Sequence, residues 1–192
     1  FMVFGAFDHK VCAANIVETI KPKYTQGFLI ERYPDGIKRI RDNDGRLFWL
    51  VPEGKKAPGG IDSGRIIPVP LRRGLFASVS QVCLLRPFAD PSVWESVTGV
   101  AAPAEEWYIP QIRSGLQSGR IVYIGDAYSP DYERLQQLRP DVVFIYTGPS
   151  GLTALARKLD TLGLTYIAEN SYLETDPLGR LEWVKFFAAF YN

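Results

Sequence analysis

Between Gly27 and Glu53 the chain alternates β-prone runs with short polar turns. GFLIERY, IKRIRD and RLFWLVPE are separated by PDG (Pro34 to Gly36) and NDG (Asn43 to Gly45), which predicts an antiparallel meander. GKKAPGGIDSG, Gly54 to Gly64, reads as a connector, because it lacks the Gly-Lys-Ser/Thr ending of a phosphate-binding loop. From Ile66 the character changes. IIPVP predicts an edge strand, the place where a sheet tolerates proline. GLFASVS, Gly74 to Ser80, predicts a buried strand running into the apolar helix QVCLLRPFA. SVWESVTGV predicts a short helix and a strand near Val97 to Val100, and IPQIRSGLQSG a helix closed by Gly119.

The stretch IVYIGDAYSPDYERLQQLRPDVVFIY, Ile121 to Tyr146, reads as strand, turn, helix and strand. Ile121 to Ile124 is the first strand. Ser129 is placed as the helix cap, with Pro130 at the first helical position and Asp131 and Glu133 in the first turn, where the helix dipole favours acids. Leu135 and Leu138 give that helix an apolar face and Pro140 ends it. DVVFIY is continuously apolar, as in a parallel strand covered on both faces. LTALARKLDTLG is the next helix, LTYIAEN the next strand, and DPLGRLEWVKFFAAFYN a strongly apolar final helix. The fold class is therefore α/β: a parallel-sheet, Rossmann-like unit with right-handed crossovers, preceded by antiparallel hairpins. No internal repeat is present.

Composition narrows the chemistry. The 192 residues are 46% hydrophobic and 13% aromatic, enough for a sizeable core. Lys and Arg number 22 against 21 Asp and Glu, without a basic stripe, so nucleic acid is not an expected partner. No stretch approaches the roughly 18 apolar residues of a membrane span. The start, FMVFGAFDHKVCAANIVE, has an apolar patch interrupted by Asp8, His9 and Lys10. It fits a signal-sequence remnant or a cloning scar rather than a complete signal peptide, and His9-Lys10-Val11 does not suit a lipoprotein site at Cys12. Cys83 sits among apolar residues and reads as a buried, inert thiol, with a disulfide to Cys12 left open. His9 is the single histidine, which argues against a zinc site or a histidine-based triad. Neither catalytic residues nor metal ligands are assigned, so the chain is read as non-enzymatic.

The run GRIVYIGDAYSPDYERLQQLRPDVVFIYTG, followed by LARKLDTLGLTYIAENSYLETDPLGRLEWVKFFAAFYN, resembles the substrate-binding proteins of ABC importers for iron-siderophores, haem and vitamin B12. The resemblance covers roughly Ile66 to Asn192 and rests on the strand-Gly-loop opening, the Pro-x-x-Glu helix, Leu-x-Pro-Asp with its apolar strand, and the DPLGRxEWxKF segment. Members have two α/β lobes bridged by a long helix, with cargo held between them. The resemblance implies an N-terminal extension over 1–65, a ligand-binding lobe over 66–175 and the start of the interlobe helix over 176–192, the second lobe lying outside this sequence. It implies no cofactor, a ferric siderophore, haem or cobalamin as cargo, a membrane permease and its ATPase as partners, and a place in the periplasm or on the outer face of the cytoplasmic membrane.

Candidate site residues follow. Tyr128, in the loop after the Ile121 strand, lies where family members set an aromatic against cargo, and Trp107 and Tyr108 occupy the matching loop one unit earlier; all three also suit ordinary half-buried loop positions. Ser78, Ser80 and Gln81 end one strand and are hydrogen-bond candidates, with Ser80 equally suited to a helix cap. Tyr146 and Thr147 end another. Glu133 matches the family's permease-docking glutamate and, on its residue chemistry alone, compensates a helix dipole. Two other classes stay open: a small α/β enzyme using the same strand-end crevice, and an interaction module that dimerises through the apolar face of Trp183 to Tyr191.

Overall fold

The computed structural model describes residues 16–191. The meander forms as its turns predict: β2 (Leu29–Arg32), β3 (Lys38–Arg41) and β4 (Leu47–Pro52) pair antiparallel in succession. A short strand before them, β1 (Glu18–Ile20), adds antiparallel to β2. The edge strand β5 (Ile66–Val69) forms too, but it pairs parallel to β4 and so completes this first sheet. The boundary before residue 66 that the resemblance implies therefore falls within the five-stranded first sheet, whose order is β1-β2-β3-β4-β5.

The second sheet begins at β6 (Gly74–Phe76). After it come α1 (Val79–Cys83), α2 (Pro91–Glu95), β7 (Val97–Val100), α3 (Pro110–Gln117) and β8 (Val122–Tyr123). A two-residue-per-strand hairpin, β9 (Gly125–Asp126) with β10 (Ser129–Pro130), leads to α4 (Tyr132–Leu138). Then follow β11 (Val142–Ile145), α5 (Thr153–Thr161), β12 (Tyr166–Ala168) and α6 (Pro177–Ala188). All pairings in this sheet are parallel, in the order β12-β11-β6-β7-β8. The chain grows outward from β6 on one side and then returns to β6 to place β11 on the other, so a topological switch point lies between β6 and β11. Open parallel sheets form their ligand crevices at that point, outside the carboxyl ends of the strands.

The α4 start departs from expectation. Ser129 and Pro130 are in the hairpin, and Asp131 is the cap, its carboxylate accepting from the Arg134 N–H at 3.0 Å. Pairing of the hairpin with Gly125 and Asp126, and the Asp131 N–H donating to the Ile124 carbonyl, set the helix start two residues later than local capping preference alone.

Strand periodicity of two divides the core. Phe76, Val142 and Phe144 share one cluster with the first sheet, α6 and the α1–α3 segment; Leu75, Val143 and Ile145 share the other with Leu135 of α4 and Leu155 and Leu159 of α5. Helix α6 joins the sheets. Trp183 packs on Phe28 at 5.0 Å between ring centres, Phe187 on Phe144 at 5.1 Å, and Phe190 on Phe144 at 5.2 Å. Gly27 lets the first sheet come this close, since a Cβ there would lie 2.4 Å from the Trp183 ring. The aromatic residues on which helix-to-helix pairing between chains was read are thus inside the fold, with Trp183, Phe186, Phe187 and Phe190 fully buried.

Glu182 fastens the same helix to the segment before β2. Its carboxylate accepts the N–H groups of Lys23 (3.0 Å), Tyr24 (2.6 Å) and Thr25 (3.2 Å) and the Lys185 ammonium at 2.8 Å. Partial desolvation pushes this acid up, but Lys185 and the three N–H groups outweigh it and hold the carboxyl at about 2. Replacing Glu182 with glutamine turns an NH2 toward backbone donors and is expected to cost about 1–3 kcal/mol of stability. Because the folded value lies below the ordinary 4.5, the wild type loses this contribution as pH falls from 4.5 toward 2. Urea denaturation of both proteins at pH 7 and pH 3 checks this: the gap between them should narrow at the lower pH.

Candidate functional site

Five strand-end segments of the second sheet converge on one crevice of about 360 Å3. Ala77 to Gln81 follow β6, Ala101 and Ala102 follow β7, Asp126 to Tyr128 follow β8, Tyr146 follows β11, and Glu169 follows β12. The sequence places polar residues there because each apolar strand ends where its neighbours do, and the next residue meets the opening.

On the β6 side, Ser78 rather than Ser80 caps α1. Ser78 Oγ accepts from the Ser80 N–H, while Gln81 Oε1 accepts the Ser78 N–H at 3.1 Å in a reciprocal capping box. That bond fixes the Gln81 side chain and leaves its other end over. Gln81 is fully buried, and its Nε2 has no hydrogen-bond partner among the described residues. It lies near enough to the Glu169 carboxyl to favour the carboxylate form, without a hydrogen bond of good geometry.

Glu169 is buried as well, with the Ser171 N–H donating to Oε1 at 2.9 Å. Burial raises its carboxyl to about 6, against the pull of Ser171 and Gln81 and with a smaller push from Glu174. Tyrosines fence the mouth. Tyr146 meets Tyr128 and Tyr172 edge-on, with ring centres 6.4 and 5.6 Å apart. Tyr128 is 63% exposed and its hydroxyl donates to the Ser150 carbonyl at 3.1 Å; the Tyr172 hydroxyl donates to the Thr147 carbonyl at 2.5 Å. Burial, then the neighbouring Tyr128, pushes the Tyr146 phenol above its ordinary range, so it stays a protonated donor at neutral pH.

Of the residues named from sequence, Ser78, Ser80, Gln81, Tyr128 and Tyr146 line this crevice. Thr147 does not. Its N–H and hydroxyl are held by Asn170, and the hydroxyl donates to Asp44 at 2.7 Å, tying the strand end to the β3–β4 turn. Trp107 is 1% exposed and its indole N–H donates to the Ala102 carbonyl at 3.0 Å, so it is core: the turn at Ala104–Glu106 folds it inward. Tyr108 is 94% exposed and lies instead on a larger groove of about 850 Å3 with Cys83, Arg86, Phe88, Trp94 and Arg120. Arg120 there is already engaged with the Trp94 and Val97 carbonyls. Cys83 is exposed on this groove rather than buried, because it falls on the outward side of α1; Cys12 lies outside the described residues. Glu133 is exposed in the first turn of α4, outside the crevice. Glu169 and Tyr172 were not anticipated; the one sequence signal for Glu169 is an acid directly after an apolar strand.

No family model matches the chain. It is 40% identical over 159 residues to an uncharacterized lipoprotein of Methanocaldococcus jannaschii, a match covering 79% of this chain and 38% of the relative. It is 31% identical over 174 residues to a second uncharacterized lipoprotein of that organism, covering 88% of this chain and 43% of the relative. An uncharacterized protein of the same organism matches over 85 residues at 31% identity, 44% of this chain and 25% of its own. The chain thus spans less than half the length of these curated relatives.

Glu169 should leave a signature in stability. Its folded value of about 6 exceeds the ordinary 4.5, so burial of the acid costs nothing below 4.5 and disfavours folding increasingly as pH rises through 6. Glu169→Gln, which keeps an acceptor for the Ser171 N–H, is expected to match or exceed wild-type stability at pH 7 and to flatten the pH dependence between 4.5 and 7. Denaturation midpoints across that range test it.

Proposed function

We propose that the protein is the solute-binding component of an ABC importer, and that the described residues form its N-terminal lobe, taking up an iron-siderophore, haem or corrinoid and handing it to a membrane permease. The observation that carries this reading is the crevice itself. It stands at the switch point of a parallel sheet, is walled by loops from all five strands and is fenced by three tyrosines. Flat rings bind chelates and macrocycles through buried area and edge contacts. One lobe supplies one wall, whereas drug-sized ligands are usually buried over about 70–90% of their surface; the greater length of the curated relatives accommodates a second lobe to close the other side.

The names of two relatives support a place on the outer face of the cytoplasmic membrane, held by a lipid anchor. Among the described residues no helix is long and apolar enough to cross a membrane. Glu133, exposed beside the crevice-forming loops, is assigned the docking of the lobe to basic residues of the permease.

Calorimetric titration of the full-length protein with ferric siderophores, haem and cobalamin tests the cargo class. Binding of at least one probe at micromolar strength or better is expected, with Tyr128→Ala weakening it about tenfold, or 1.4 kcal/mol. Silence toward every probe rules the class out. Docking separates from capture: Glu133→Arg should leave cargo affinity unchanged and reduce uptake or stimulation of the permease-bound ATPase.

A further inference from the structure

We propose that the part of the cargo entering the crevice is neutral or cationic and presents a carbonyl-type oxygen to Gln81, which selects amide- or hydroxamate-bearing chelates and corrinoids over polyanionic ones. The inference rests on the solute-binding reading and sharpens it to a cargo chemistry. Its first support is the charge of the lining. Glu106, Asp126 and Glu169 are the ionisable residues of the crevice besides its tyrosines, and no lysine, arginine or histidine is among those that line it. Asp126 is held in place by accepting the Tyr128 N–H at 2.8 Å, so its carboxylate stays fixed at the mouth. An approaching carboxylate or catecholate oxygen would meet like charge without a cation to offset it.

The second support is independent of charge. Gln81 is buried, rigidly oriented by its capping bond to Ser78, and has Nε2 hydrogens without a partner on the crevice wall. A buried donor left unmatched is costly, and a neutral acceptor brought by a ligand would satisfy it. The Tyr128 and Tyr172 hydroxyls already donate to Ser150 and Thr147, so Gln81 is the buried amide donor left for cargo, beside the Tyr146 hydroxyl at the mouth, whereas Glu169 accepts from any N–H the cargo carries. At about 360 Å3 the crevice holds one segment of a chelate or one edge of a macrocycle, so the charge of that segment governs the choice.

The test compares four probes on the full-length protein at low and high salt: ferric desferrioxamine, a cationic trihydroxamate; hydroxocobalamin, rich in amides; a ferric tris-catecholate; and haem, with its two propionates. Ferric desferrioxamine or hydroxocobalamin should bind at least tenfold tighter than both anions in low salt, with the gap shrinking as salt rises. Glu106→Lys, at an exposed position, should narrow the gap severalfold in favour of the anions. Gln81→Leu should weaken the favoured probe at least fivefold; because Gln81 also caps α1, a Ser78→Ala variant, which removes a cap and keeps the amide, serves as the control and should weaken it less. Tighter binding of the tris-catecholate or haem, still lowered by Tyr128→Ala, overturns the charge inference while leaving the solute-binding reading intact. Binding of no probe overturns both.

Discussion

Helix α6 and the turn that follows it carry Trp183, Phe186, Phe187 and Phe190, all without solvent exposure, and both sheets close on them. Phe28 reaches this helix from the first sheet; Phe76 and Phe144 reach it from the second. Each large aromatic side chain buries about 150–250 Å2, so the group makes a large apolar contribution to the contact between sheets. Polar contacts then fix its position. Glu182 gathers the N–H groups of residues 23–25, and Glu174 accepts from the Thr25 hydroxyl and from the Trp183 indole N–H. A helix so placed makes the first sheet part of the same body as the parallel sheet rather than an appendage.

That union reaches the crevice through the β3–β4 turn. Asp42, buried in the first sheet, accepts the Ala168 N–H at the end of β12, and Asp44 accepts the Thr147 hydroxyl at the end of β11. Two strand ends that carry Tyr146 and Glu169 are therefore braced from outside their own sheet. The crevice gains a rigid floor, and Glu169 is kept away from water, where burial raises its carboxyl to about 6. Stability of the fold and chemistry of the site are coupled here by named hydrogen bonds.

How far the chain could be read depended on whether a residue's fate is local. The meander was legible because two Asp-Gly turns separate β-prone runs, and the parallel strands because runs such as Val142–Ile145 are apolar without alternation. Strand β1 was not, since Glu18-Thr19-Ile20 has no pattern until β2 offers an edge. The α4 cap was misplaced by two residues because Ser129 and Asp131 are both good caps, and only the hairpin decides between them. Tyr128 and Tyr146 were legible as strand-end aromatics. Trp107 carried the same signal, yet a single turn rotates it into the core. Gln81 and Glu169 come from beyond the ends of β6 and β12 to line one crevice, and no local pattern reports so distant a meeting.

The central claim is that the strand-end crevice, not the larger groove beside it, receives the cargo. Amide chemical-shift mapping on the isotopically labelled full-length protein addresses it directly, using diamagnetic probes such as cobalamin or a gallium-loaded trihydroxamate. The largest changes should fall on residues 77–81, 126–128, 146 and 169–172. Changes centred instead on Cys83, Arg86 and Tyr108, the walls of the larger groove, would contradict the account.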